Sequence, residues 1–289
     1  QVSIGVIGGS GLYRIKGVEL IREVSVETPF GPPSDTIFVA DIEGTPVAFL
    51  PRHGLGHIHS PTEVPYRANI YALKSLGVDK IISVSACGSL REDLKPGDFV
   101  IPDQIFDFTR DRKRTFFEDG WVAHISVADP YCPTLSSALA DALEGVGGTV
   151  HRGGQFITIE GPRFSTKSES QVFRSWGMDI IGMTACPEIF LAREAEMCYA
   201  TMAHITDYDV WHEAESPVTV EMVVKQLQAN VTKAQRAIQD VAPNLEALEW
   251  TACECRRALD TALITDPEKI PEETQQKLEL LTRRFQEQG

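Results

Sequence analysis

The stretch Ile4-Gly5-Val6-Ile7-Gly8-Gly9-Ser10-Gly11-Leu12-Tyr13 passes from β-branched apolar residues straight into glycines with a serine among them. A short apolar run of this kind predicts a buried strand, and the glycines supply a tight turn with exposed backbone N–H groups. Such a turn either holds an anion or simply closes the strand. Two better-defined phosphate motifs are excluded. From Gly9 the pattern G-x-G-x-x-G finds Gly11 and then Arg14 in the third glycine's place, and no Gly-Lys-Ser/Thr follows as a Walker loop requires.

Working outward, runs of the same type recur at Lys80 to Ser89 (KIISVSACGS), Phe156 to Phe164 (FITIEGPRF), Asp179 to Glu188 (DIIGMTACPE) and Cys198 to Asp209 (CYATMAHITDYD). Helical patterns lie between several of them. These are Tyr66 to Leu76, Leu135 to Leu143, Thr166 to Trp176 with Thr166 and Glu169 spaced as a capping box, and Pro187 to Met197 with proline in the first turn. The alternation predicts an α/β fold with a largely parallel central sheet flanked by helices. Beyond Thr219 the chain reads as helical, first to Pro243, then over Leu245 to Leu263, then after Pro271. A single domain over 1–289, with C-terminal helices from about 219, accounts for this order.

Composition narrows the function. With 289 residues, 43% hydrophobic and 24% charged, the chain can bury a sizeable core. Its formal charge of -14 opposes a general nucleic-acid or anionic-membrane surface, so any anion site must be local. No apolar stretch approaches the roughly 18 residues of a membrane helix, and a cytoplasmic location is expected. Cys87, Cys132, Cys186, Cys198, Cys253 and Cys255 are scattered without a C-x-x-C pair, which predicts mostly inert buried thiols and no zinc. Cys253 and Cys255 are the exception, being close enough in sequence for disulfide exchange.

In a parallel sheet, ligands gather beyond the carboxyl ends of the strands, where the polar ends of these runs fall. Leu50 to His59 sets Arg52 and His53 among glycines, and arginine's planar fork suits phosphate. His53, His57 and His59 lack the carboxylates that would make them a convincing metal set. Ser85 to Ser89 ends a strand in residues small enough to expose backbone N–H groups, and with Ser10 and Arg52 it would complete a phosphate cradle. Asp207 and Asp209 either face a ligand together or cap the next turn.

Taken together, IGVIGGSGLY, ETPFGPPSD (Glu27 to Asp35), RHGLGH (Arg52 to His57), ACGSLRED (Ala86 to Asp93), TIEGPRFST (Thr158 to Thr166), MTACPE (Met183 to Glu188) and TDYDVW (Thr206 to Trp211) resemble the methylthioadenosine phosphorylase branch of the trimeric purine nucleoside phosphorylase family. The motifs extend to about Thr232. The resemblance implies cleavage of a nucleoside's glycosidic bond by inorganic phosphate, with no metal or organic cofactor, in methionine and purine salvage. It implies that Ser10, Arg52, His53, Ser85, Ala86 and Thr184 hold phosphate. Phe164, Ser165, Met183, Asp207 and Asp209 would meet base and ribose, with Asp207 as the acid. Val220, Val223 and Val224 would line an apolar methylthio pocket, and His124 would be lent across the interface of a homotrimer or dimer of trimers. Asp207 and Ser165 stand where 6-oxopurine relatives resemble asparagine and glutamate, which favours adenine. A phosphorylase of adenosine, inosine or guanosine and a catalytically silent nucleoside-binding protein are the competing readings.

Overall fold

The computed structural model describes residues 2–9, 12, 18–212, 220–250 and 253–286, with backbone alone at helix residues 220–229 and 286. In chain order the elements are β1 (Ile4–Gly8), β2 (Glu19–Val24), β3 (Ile37–Ile42), β4 (Thr45–Pro51), α1 (Tyr66–Ser75), β5 (Lys80–Ser89), β6 (Phe99–Ile101), β7 (Gln104–Phe108), α2 (Pro133–Gly145), β8 (Val150–Arg152), β9 (Gln155–Ile159), α3 (Lys167–Ser175), β10 (Ile180–Gly182), α4 (Ala185–Glu194), β11 (Cys198–Asp207), α5 (Val220–Leu245) and α6 (Glu272–Gln286). The runs that read as buried strands form β1, β5, β9, β10 and β11. Of these, β1, β10 and β11 are buried along their whole length, as central strands should be. Helix α3 starts where its sequence predicts: Thr166 Oγ1 accepts from the Glu169 N–H at 3.1 Å, and Glu169 Oε2 accepts from the Thr166 N–H at 2.7 Å.

The strands make one eleven-stranded sheet in the order β2-β3-β4-β1-β5-β10-β9-β7, with β11 on the other edge of β5, followed by β6 and β8. Strands β4, β1, β5 and β11 run parallel, and β7, β9 and β10 are parallel among themselves, but β10 meets β5 antiparallel. Two sets of carboxyl ends therefore face each other across the end of β5. Strand β1 stops with Gly8 opposite Val84, and β10 takes up pairing only at Gly88. Ser85, Ala86 and Cys87 are left without a strand on that edge among the described residues. Breaking the ladder there exposes backbone polar groups that a ligand can satisfy.

Alternation along the strands feeds two cores. Ile7 and Ile81 pack with Ile70 and Leu73 of α1, Ile189 of α4 and Leu278 of α6 on one face, while Ile4 and Ile82 pack with Leu139 of α2 and Ile238 of α5 on the other. Burying each such side chain is worth about 1.5–3 kcal/mol, so the gap at β5 is held open by a rigid surround.

The expected helix over Leu245 to Leu263 does not form; the segment holds a short 3-10 turn, Glu254–Arg257. Tertiary partners take the groups a helix would have used. The Trp250 indole donates to the Leu245 carbonyl at 2.9 Å, the Leu259 N–H donates to Glu196 Oε1 at 2.9 Å, and Leu263 bridges to Ala123. Helical spacing in the sequence is overridden by these contacts.

Candidate active site

The gap in the sheet is lined from below by β5. Within this otherwise buried strand Ala86 alone is exposed, so the surface opens there. Beside it, the Ser85 hydroxyl is buried and has no hydrogen-bond partner among the described residues. A buried orphan hydroxyl is costly unless something outside the chain completes it. Thr184, buried at the start of α4, follows β10 into the same region.

The loop after β4 brings His53 in. Gly54 has φ +72°, and a Cβ there would stand 3.0 Å from the Ser34 carbonyl, so the tight return to His59 requires glycine. His53 Nδ1 lies 2.9 Å from the His59 carbonyl, which assigns the proton to Nδ1 and leaves Nε2 with a lone pair. Burial lowers the imidazole to about 4, so it is neutral at pH 7. Its ring stacks on His57 at 4.2 Å.

Arg52 lies buried beneath the gap and is held by partners inside the fold. Its guanidinium is 2% exposed, and Nε and Nη2 donate to the two oxygens of Glu188 at 2.7 and 2.8 Å. Nη2 also donates to Ser83 Oγ at 2.7 Å, and Nη1 to the Val84 carbonyl at 3.1 Å. Most of the fork expected to face phosphate is thus engaged by Glu188, Ser83 and the β5 backbone, as a buried cation requires, while Nη1, with two N–H groups, is seen donating to the Val84 carbonyl alone among the described residues. Burial opposes its charge, yet Glu188 more than offsets this and keeps the guanidinium firmly ionised. Glu188 is itself fully buried and accepts from the Tyr199 hydroxyl at 2.8 Å.

The other end of the gap is acidic. Register slips by one residue at Thr206, with Ile205 opposite Cys87 and Asp207 opposite Gly88, and this bulge aims Asp207. Its Oδ2 accepts from Thr206 Oγ1 at 2.6 Å and its Oδ1 from the Asp209 N–H at 2.8 Å. Asp209 has φ +53°, so extension ends at Asp207 and the two carboxylates do not project as strand neighbours; they share an aspartate turn instead. Burial raises both carboxyls above the usual range. The bonds from Thr206 and the Asp209 N–H partly offset it at Asp207, as the nearby Ser170 and Ser165 hydroxyls do at Asp209. A Cβ on Gly88 would lie 3.0 Å from Asp207 Oδ1, so only glycine lets the strand pass this close.

Two further segments close the acidic end. The capping box of α3 fixes the approach of Phe164, which is 38% exposed, and of buried Ser165. Arg112, whose side chain is fully buried, donates to the carbonyls of Met183 and Cys186, both at 2.7 Å, and of Glu160 at 2.8 Å. It thereby ties the Met183 segment to the end of β9. The sequence reading assigned Arg112, Glu188 and Gly88 no role of their own. Arg112 sits in a polar run without a motif, and the partner of Arg52 lies far along the chain. His124 is exposed, on a segment whose backbone N–H donates to the Ala262 carbonyl at 2.9 Å. Ser10 lies outside the described residues, as do the side chains of Val220, Val223 and Val224 on α5.

Comparison with known proteins places this geometry. The model of the phosphorylase superfamily matches residues 3–243. The chain is 50% identical over 289 residues to an S-methyl-5'-thioadenosine phosphorylase of Gloeobacter violaceus, covering 99% of this chain and 96% of that relative. It is 51% identical over 264 residues to the one of Thermofilum pendens, covering 91% and 99%. The match thus reaches past the quoted motifs into the C-terminal section. Among solved structures, a methylthioadenosine phosphorylase from an antarctic soil metagenomic library superposes with a TM-score of 0.92 at 48% identity, covering 97% of this chain and 98% of that one. A mutant adenosine/methylthioadenosine phosphorylase of Schistosoma mansoni in complex with methylthioadenosine gives a TM-score of 0.84 at 37% identity, covering 90% and 96%. The chain belongs to the phosphorylase superfamily and, within it, to the S-methyl-5'-thioadenosine phosphorylases.

Proposed function

We propose that the chain catalyses the phosphorolysis of 5'-methylthioadenosine to adenine and 5-methylthioribose 1-phosphate, feeding methionine and purine salvage. The observation that carries this reading is one gap in the sheet flanked by two unlike neighbourhoods. Unsatisfied hydroxyl and open backbone lie at Ser85 and Ala86, and a buried carboxylate pair lies at Asp207 and Asp209. The names of the relatives supply the substrate.

Phosphate would lie along Ser85 and Ala86, with Thr184, His53 and the Ser10 turn around it. Arg52 would contribute a fixed, paired charge beneath the site and hold the loop in place. Phosphate oxygen forms a bond to C1′ as the C1′–N9 bond breaks, and the bonding electrons leave with the purine. A protonated Asp207 would deliver its proton to purine N7, so the base departs neutral, and burial favours holding that proton. Once ionised, the same carboxylate accepts from a 6-amino group and repels a 6-oxo group. Phe164 and Met183 would flank base and ribose, and Ser165 and Asp209 would complete the base pocket. Val220, Val223 and Val224 would surround the methylthio group, where a hydroxyl would be buried without a partner.

The exposure of His124 supports its being lent to a neighbouring copy, which implies a homotrimer or a dimer of trimers. The reaction needs no organic cofactor and no metal, phosphate being a co-substrate. Among the described residues no helix is long and apolar enough to cross a membrane. The formal charge of -14 opposes a general nucleic-acid or anionic-membrane surface, and the enzyme would work in the cytoplasm without such partners. The test is free-base release from methylthioadenosine, adenosine and inosine, each with and without phosphate. Phosphate-dependent adenine from methylthioadenosine, with little hypoxanthine from inosine, is expected. Inosine as the best substrate, or no turnover of any, would refute the proposal.

A further inference from the structure

Away from this cleft, three separate parts of the chain bring four cysteines to one point. Cys132 precedes the first turn of α2, Cys198 opens β11, and Cys253 and Cys255 belong to the segment beyond α5 that does not become a helix. Their four Sγ atoms lie within 4.8 Å of one another. Cys253 Sγ stands 3.3 Å from that of Cys198 and 3.6 Å from that of Cys132. Cys132, Cys198 and Cys255 are buried and Cys253 is half-buried. The sequence spacing, which set only Cys253 and Cys255 apart, does not show this cluster, since the fold and not the spacing assembles the four.

We infer that Cys132, Cys198, Cys253 and Cys255 form a structural tetrathiolate site for a divalent metal ion, with zinc as the best fit. A tetrahedron with Zn–S bonds of about 2.3 Å has sulfur–sulfur edges of about 3.8 Å; the separations of 3.3 and 3.6 Å come within about half an ångström of that length, and no pair exceeds 4.8 Å. Thiolate ligands select zinc over magnesium or calcium. Four protein sulfurs leave no open position, so the ion would be structural and not catalytic. Two disulfides would use the sulfurs in pairs, whereas Cys253 sits close to Cys132 and Cys198 together. On binding, each thiol releases its proton to solvent and the sulfur lone pair forms the metal bond. Arg193, buried and donating to the carbonyls of Asp129 and Pro130 at 2.7 and 3.0 Å, places a cation beside the chain leading into Cys132, which suits the negative cluster that results. Such an ion would pin the 253–255 segment to α2 and β11, supplying a cross-link where the chain forgoes a helix.

The test is metal analysis of the full chain, purified under reducing conditions without chelator and with free thiols blocked at lysis in a parallel sample. About one zinc per chain is expected. Replacing it with Co²⁺ should give the intense visible bands and near-ultraviolet thiolate-to-metal absorption of a tetrahedral cobalt–thiolate centre. A Cys253→Ser/Cys255→Ser variant should lose the metal and melt at lower temperature while still releasing adenine at room temperature. Wild-type protein that binds neither Zn²⁺ nor Co²⁺, or a thiol-blocked sample in which these cysteines are found as two disulfides, would overturn the inference.

Discussion

The two ends of the cleft handle buried charge in opposite ways. At the end lined by Ser85 and Ala86, the one guanidinium at the floor is cancelled by Glu188, and His53 is kept neutral by burial. At the other end, Asp207 and Asp209 are both buried, and the bonds to Asp207 come from a hydroxyl and a backbone N–H, not from a cation. The difference matches the demands of the proposed reaction. A phosphate dianion brings its own charge and wants neutral donors around it, whereas a leaving purine wants an acid, and uncompensated burial is the simplest way to keep a carboxyl protonated.

The largest test of this contrast is Asp207→Asn, which keeps the shape and removes the titrating proton. We expect kcat/KM for methylthioadenosine to fall by about 10²- to 10⁴-fold, with a relative gain for inosine. Equal loss for both substrates would break the link between the carboxyl and the 6-amino group. At the opposite end, Arg52→Met strips Glu188 of its partner and should destabilise the fold by about 3–5 kcal/mol in urea unfolding, while Arg52→Met/Glu188→Leu recovers much of the loss. A single variant as stable as wild type would show that the pair is not what holds the floor.

Gly88→Ala brings a methyl group to 3.0 Å from Asp207 Oδ1 and Ile181 Cγ2, so it should displace the carboxylate without touching Arg52. A loss of about ten- to a hundred-fold in turnover with little change in stability is expected from steady-state kinetics. The smallest effect comes from a buried carboxyl outside the cleft. Burial raises Glu194 from 4.5 to about 7 although it accepts from the Phe116 N–H and the Thr115 hydroxyl. Over that window the native state keeps a proton the unfolded chain has lost, so this group's stabilisation is full below pH 4.5 and declines towards pH 7. Glu194→Gln should flatten the fall of stability with pH by at most about 1.4 kcal/mol per pH unit, leaving the acid limb of catalysis unchanged.

How much of this was legible in the sequence follows from the range of the forces involved. Strands β1, β5 and β11 announce themselves by short, largely apolar runs ending in small or polar residues, and the capping box of α3 by Thr166 and Glu169, because these are local signals. The loops at Ser85, Thr184 and Asp207 could be placed at strand ends for the same reason. The reversal of β10 against β5, which opens the gap, is a matter of topology that no window of residues contains. The pairing of Arg52 with Glu188 was not legible, because Glu188 is brought in only by folding. The segment at 245–263 looked helical because its backbone partners, Glu196 and Ala123, are distant in sequence. The four-cysteine cluster escaped notice on the same ground.

The central claim is that burial without a countercharge raises the Asp207 carboxyl, so that it takes up a proton more readily than an ordinary aspartate. The most direct measurement is a ¹³C NMR titration of the side-chain carboxyls in the substrate-free protein, with the Asp207 resonance identified by its absence in Asp207→Asn. A midpoint clearly above the ordinary aspartate value of about 3.9 is the result this account predicts. A midpoint at or below that value would mean Asp207 is a plain carboxylate at neutral pH and would take the acid away from the proposed mechanism.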